Sequence, residues 1–158
     1  HPDRVKPEVV ENVAVGTRQT AAELHELARA RTRLEGRTRD YFDRYDLWVT
    51  PTAQVLPFPA EQRWPAEIAG HRMGDYLDWM RSVCVVSAMS TPALSVPAGF
   101  SRSGLPVGIQ LVARQGADAL LLRAAHAYEE RTRWAQMHPR LGDAAAAIPG
   151  GDRAGGLG

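Results

Sequence analysis

The groups that could break or make bonds in this chain are few, and their spacing says much about what it does. Six serines stand at Ser82, Ser87, Ser90, Ser95, Ser101 and Ser103, and no two are adjacent. A serine nucleophile needs a partner base and donors for the developing oxyanion. No Gly-x-Ser-x-Gly elbow and no Gly-Ser-rich loop supplies either. Ser101 and Ser103, with Arg102 and Gly104, are turn chemistry. Ser87, Ser90 and Ser95 fall where a helix end meets a strand, where they can line a pocket or bond nearby backbone. The histidines His1, His25, His71, His126 and His138 form no metal-binding pattern. There is no phosphate loop and no dinucleotide fingerprint, so no metal and no cofactor is expected. Lys6 is the only lysine, leaving one side chain for chemistry that needs a neutral amine. Cys84 is the only cysteine, which excludes a disulfide within the chain and a Cys-rich zinc site. On these residues alone no catalytic set can be assembled.

The elements that must position these groups belong to one domain, since 158 residues are too few for two of ordinary size. A hydrophobic content of 44% and a charged content of 23% fit a globular protein. The net charge of +1 gives no drive toward nucleic acid or an anionic membrane. No apolar run approaches the ~20 residues that span a bilayer. His1-Pro2-Asp3-Arg4 has neither an initiator methionine nor the apolar core of a signal peptide. The expectation is a piece of something longer, in the cytoplasm.

Residues 1–19, with Pro2 and Pro7 as breakers, read as an N-terminal arm with one short turn. Thr20 and Glu23 form a capping box. It opens a helix to about residue 42 with the apolar stripe Leu24, Leu27, Ala28, Leu34, Tyr41 and Phe42. Arg33, Arg37 and Arg39 suit its C-terminal dipole and read as a solvated face. Residues 46–50 read as a short strand stopped by Pro51, and the proline-dense 51–70 as a surface loop. A second helix is expected from Tyr76 to Ala88, capped by Asp75. Alternation in 93–100 and 106–113 around Ser101–Gly104 predicts a β-hairpin, with Pro97 on an edge or at a bulge. Leu94, Val96, Ala98 and Phe100 share one face by that alternation. Asp118 caps a last helix to about Arg131, with Leu121, Ala124, Ala125 and Tyr128 inward. Residues 141–158, rich in Gly and Ala, read as a disordered tail.

Ordered along the chain, KPEVVENVAVG (6–16), YDLWVTPT (45–52), DYLDWMRS (75–82), TPALSVPAGF (91–100), GLPVGIQLVA (104–113) and DALLLRAAHAYEERTRW (118–134) resemble the C-terminal part of the amidase signature family. The PALSVPAGF and GLPVGIQLV pair is the specific part. The resemblance implies an α/β fold in which residues 20–140 are the C-terminal portion of an α/β/α sandwich around a mixed sheet. It implies amide hydrolysis by a serine nucleophile, relayed through a second serine to a neutral lysine. All three lie N-terminal to the matched region, so the expected catalytic set of this chain is empty. The implied partner is the N-terminal catalytic portion, with a small-molecule amide bound only in the complete enzyme. The helix before PALSVP lines the acyl side of the family's channel. Met80, Cys84 and Ser87, spaced by four and three, share a face of it and are the expected substrate-binding residues. Many relatives carry Asn and Gly where this chain has Ser87 and Ser90. The rival expectation is a non-catalytic subunit or binding domain derived from the same fold.

Overall fold

The computed structural model describes residues 4–138. The expected tail at 141–158 lies outside them. The order is α1 (Pro7–Gly16), α2 (Ala21–Phe42), β1 (Leu47–Pro51), β2 (Glu67–Ile68), β3 (His71–Arg72), α3 (Arg81–Ala88), β4 (Ala93–Phe100), β5 (Pro106–Ala113) and α4 (Asp118–Thr132), closed by a 3-10 turn at Trp134–Gln136.

The hairpin forms where alternation places it, and β1 adds to its far side, giving the antiparallel order β1-β5-β4. Among the described residues the main sheet is wholly antiparallel, so the parallel neighbours of a mixed sheet are not within them. Leu47, Val49 and Pro51 pair with Ala113, Leu111 and Ile109, and Leu94 and Val96 pair with Leu111 and Ile109. Of these, Leu47, Leu94, Val96, Ile109, Leu111 and Ala113 pack toward α4, while Val49 and Pro51 stay exposed. Val96, Leu111 and Ala113 bury against Ala117, Leu121 and Ala125, with Leu47, Leu94, Ile109, Leu120 and Tyr128 half-buried around them. The opposite face carries Trp48, and Tyr41 of α2 packs there, its ring 6.3 Å from the indole and its hydroxyl donating to the Leu47 carbonyl at 3.3 Å. α4 covers one face of the sheet and the end of α2 reaches the other only through Tyr41, and this mixture of helices and strands is the expected α/β class.

Pro97 lies both on the edge strand and at a bulge between Pro97 and Gly99. The bulge resets the alternation. Gly99, not Ala98, faces Val107 and is buried, so the strict pattern through Ala98 and Phe100 fails at that point.

Four other expectations are corrected. The arm is a ten-residue helix, because Pro7 stands at its first position, where a missing N–H costs nothing and the fixed φ suits the helix. The strand at 46–50 runs through Pro51, which an edge strand tolerates. The loop at 51–70 runs into a two-residue ladder, turned by Ala69 and Gly70 at φ 50° and 82°. Asp118 is the first residue of α4 rather than its cap, which is Ala117.

The capping box of α2 is present: Glu23 N–H donates to Thr20 Oγ1 at 3.3 Å, and Thr20 N–H donates to Glu23 Oε2 at 2.7 Å. The backbone bond from Thr20, then its hydroxyl, holds the Glu23 carboxyl below the usual value. A carboxyl whose folded pKa is depressed supports the fold above its unfolded pKa and loses that support as pH falls through the folded one. Amide exchange in the first turn of α2 should therefore quicken as pH is lowered through and below ~4.3, the ordinary Glu value, after correction for intrinsic rates. Glu23→Gln should remove that dependence, and Thr20→Ala, which keeps the backbone donor and loses only the hydroxyl, should reduce it.

Beyond its cap, α2 packs little. Residues 21–33 are exposed throughout, Leu24 and Leu27 each at 53%, and Thr38 is its one buried residue. The first half of the stripe, Leu24 and Leu27, has no cover among the described residues, while Leu34, Tyr41 and Phe42 are half-buried. No helix among the described residues is long and apolar enough to cross a membrane.

Candidate functional site

On the sheet face away from α4, the register lines up residues from three strands. Thr50 and Ser95 flank Gln110, and the Thr52 N–H donates to the Gly108 carbonyl at 3.1 Å. Gly108 has no side chain, so Thr52 from one side and Ser95 from the other meet over it, their hydroxyls 2.8 Å apart. A Cβ at Gly108 would sit 3.0 Å from Thr52 Oγ1 and 3.3 Å from Ser95 Oγ, so a larger residue displaces that bond. Gln110 Oε1 is buried with no donor among the described residues. Ala93, Ser95 and Pro97 of the edge strand are exposed on this face. The result is a polar strip at one end of the sheet, exposed at Ser95 and half-buried at Thr52 and Gln110. Of these residues the sequence singles out only Ser95. Thr52 and Gln110 become neighbours only once β1 is known to pair with β5.

The expected helix at 76–88 begins later. Asp75 Oδ1 accepts the N–H groups of Leu77 at 2.8 Å and Asp78 at 2.9 Å, closing a turn rather than capping a helix. Asp78 in turn accepts from Gly74 N–H at 2.9 Å and pairs with Arg81. The Gly74 bond first, then Arg81, holds its carboxyl below the usual value. Met80 is thus the N-cap of α3 and half-buried, while Cys84 and Ser87 lie on α3 and are exposed. The Cys84 N–H donates to the Met80 carbonyl at 3.0 Å, which sets these two one turn apart. Ser87 spends its hydroxyl on the Val83 carbonyl at 3.1 Å. The preceding segment is held by aromatic edges: Phe58 on Trp79 at 5.6 Å, Tyr76 on Trp79 at 6.1 Å and Trp64 on Tyr76 at 6.3 Å.

Ser90 sits at φ 57°, a conformation glycine takes freely and other residues adopt at a cost of ~1–3 kcal/mol. Arg31 Nη2 donates to its hydroxyl at 2.7 Å, and that hydroxyl makes a long 3.5 Å contact to Glu35. This link fastens the end of α3 to the middle of α2. No serine among the described residues is hydrogen-bonded to a histidine or lysine, and no group of acidic, histidine or cysteine side chains there could hold a metal. Two clefts, of about 650 and 610 Å³, border α1, and Met80, Cys84 and Ser87 line neither.

The family model described as Amidase matches residues 2–122. The chain belongs to the Amidase family. A glutamyl-tRNA(Gln) amidotransferase subunit of Moorella thermoacetica is 34% identical over 141 residues, covering 86% of this chain and 28% of that protein. An acylamidase of Rhodococcus erythropolis is 37% identical over 100 residues, covering 63% of this chain and 21% of the relative. The structure of a bacterial aryl acylamidase of the amidase signature enzymes superposes with a TM-score of 0.75 at 23% identity. It covers 94% of this chain and 30% of the other, a likeness of fold. This Amidase-family chain therefore spans less than a third of the length of each of these proteins.

Proposed function

We propose that this chain is the C-terminal segment of an amide-hydrolysing enzyme and contributes one wall of its substrate channel without the groups that break the bond. The observation that carries this is the β4 edge, which has no neighbour among the described residues. The strip of Thr52, Ser95 and Gln110 sits beside a free strand edge, while the Leu24 and Leu27 stripe stands in solvent. An apolar stripe and a free edge are surfaces that a larger fold covers. The occupant is the N-terminal catalytic portion of an amidase, which supplies the serines and the lysine. Lys6 stands at the N-cap position of α1 without a side-chain capping bond, and among the described residues it bonds to no serine. The rival reading, a self-contained binding domain, calls for closed edges, and among the described residues β1 and β4 have no further neighbour.

In the complete enzyme the Met80, Cys84 and Ser87 face lines the acyl side of the channel, where thioether and thiol supply soft apolar surface. The substrate is a small-molecule amide and the compartment the cytoplasm. The isolated chain should leave acetanilide and short aliphatic amides at the rate of buffer alone. Turnover that survives repurification and vanishes in Lys6→Ala would overturn the reading.

A further inference from the structure

Helix α2 changes character part-way along. Its C-terminal part is fastened: Leu34, Glu35 and Gly36 are half-buried, Thr38 is buried, and the Tyr41 ring lies 6.3 Å from that of Trp48. Residues 21–33 are exposed throughout, and α2 packs broadly against no other element among the described residues. Gly36 stands at the boundary. A Cβ there would meet nothing within 4 Å, and its φ is not positive, so neither packing nor backbone conformation calls for glycine. Inside a helix glycine is less favourable than alanine by about fivefold in equilibrium, because its backbone is freer. What it supplies at such a boundary is a joint. Two charged contacts hold the part before the joint to the body. Arg31 Nη2 donates to Ser90 Oγ at 2.7 Å while its Nε donates to Glu35 Oε1 at 3.3 Å, and Arg63 pairs with Glu8 of α1. The two arginine side chains are 63% and 61% exposed, so each contact is weak. Ser90 keeps its hydroxyl at φ 57°, where glycine would be relaxed, and that hydroxyl meets only Arg31 and Glu35 of α2 among the described residues.

We propose that α1 and the first half of α2 form an arm that pivots at Gly36 and is held closed by two latches, Arg31 on Ser90 and Arg63 on Glu8. The arm carries Leu24 and Leu27, so its angle sets where that stripe is presented. The use of the motion, to seat the stripe on the N-terminal catalytic portion, rests on the reading above. The hinge itself does not, because it is measured in the chain alone and without substrate.

The test is pulsed electron–electron distance measurement between two nitroxides on the full chain. Cys84 is the only cysteine and is exposed, so it takes one label. His25→Cys, at an exposed position on the arm, takes the other, and Arg39→Cys, past the joint, replaces it in a control pair. Labelled chain is mixed with a large excess of unlabelled chain, so that only distances within one molecule are read where copies associate. Ser90→Gly removes the acceptor and relaxes the backbone, so it does not threaten the fold. Arg63→Gln removes the other latch. Each should raise the ratio of open to closed arm about two- to fivefold, and the two together about four- to twenty-five-fold, the scale of exposed ion pairs. The gain is read as a broader distance distribution for the 25–84 pair. Gly36→Ala, added to the double variant, should lower the ratio again by about fivefold. The 39–84 pair should keep its distribution throughout. A 25–84 distribution no broader in the double variant than in the parent would overturn the proposal. So would one that Gly36→Ala leaves equally broad, or a 39–84 pair that broadens alongside it, since the whole chain would then be loosening rather than turning at a hinge.

Discussion

Replacing Leu111 by alanine should destabilise the chain by about 2–5 kcal/mol. Leu111 is 4% exposed and stands in the central strand, between Val49 of β1 and Leu94 of β4. It belongs to the buried cluster with Val96, Ala113, Ala117, Leu121 and Ala125. Three members of that cluster besides Ala113 come from one helix segment or its entry, so few side chains are free to move into the space a missing isobutyl group leaves. A domain has only ~5–15 kcal/mol in hand, and the loss is a large part of it. The urea midpoint should fall by roughly 1–3 M with an unchanged slope. Val49→Ala, in the same cross-strand row but 53% exposed, should move it little, within about 0.5 kcal/mol. Comparable shifts for the two would mean that α4 does not cover the sheet.

Gly99→Ala should rank next. Gly99 sits at φ 109°, immediately after the bulge, with the Trp134 ring 3.3 Å from where a Cβ would be. The backbone conformation alone costs a substituted residue ~1–3 kcal/mol. The indole must also give way, adding about 1 kcal/mol or more. Trp134 lies in the turn after α4, so its displacement loosens the attachment of that helix to β4. The expected result is a loss of about 2–4 kcal/mol. A red shift in Trp134 emission should accompany it, read in a background where Trp48, Trp64 and Trp79 are replaced by Phe. Gly104, also at positive φ but with open space around it, should show only the backbone part when changed to Ala.

Local chemistry was legible in the sequence wherever the signal and its cause lie within a few residues. The capping box of Thr20 and Glu23 is such a case, and so is the hairpin. Alternation identified its inward residues up to Pro97, and the missing N–H of Pro97 marked the edge and the bulge. What the bulge did next was not legible, since one extra residue turns Gly99 inward and no pattern announces it. Pro7 misled because proline breaks a helix interior but opens a helix at its first position. Asp75 misled because the same carboxylate geometry that caps a helix also closes an isolated turn. The Ala69–Gly70 turn places an alanine at φ 50°, which composition gives no reason to expect. The polar strip depended on topology. Alternation says that Ser95 and Gln110 lie on sheet faces, while Thr52 falls in the segment read as a loop, and only the order β1-β5-β4 brings Thr52 and Ser95 together over Gly108. α3 begins at Arg81, so Met80 stands at its N-cap and only Cys84 and Ser87 lie on the helix.

The proposed role turns on whether these elements close on one another or leave surfaces for the rest of an amidase fold. Leu24, Leu27 and the β4 edge are the surfaces that point to the second. Sedimentation velocity of the purified chain over a range of concentrations tests this without a substrate. Concentration-dependent oligomers are expected, because an open edge and an uncovered apolar stripe find other copies when their own neighbours are missing. A single monomeric boundary that does not change with concentration would refute it.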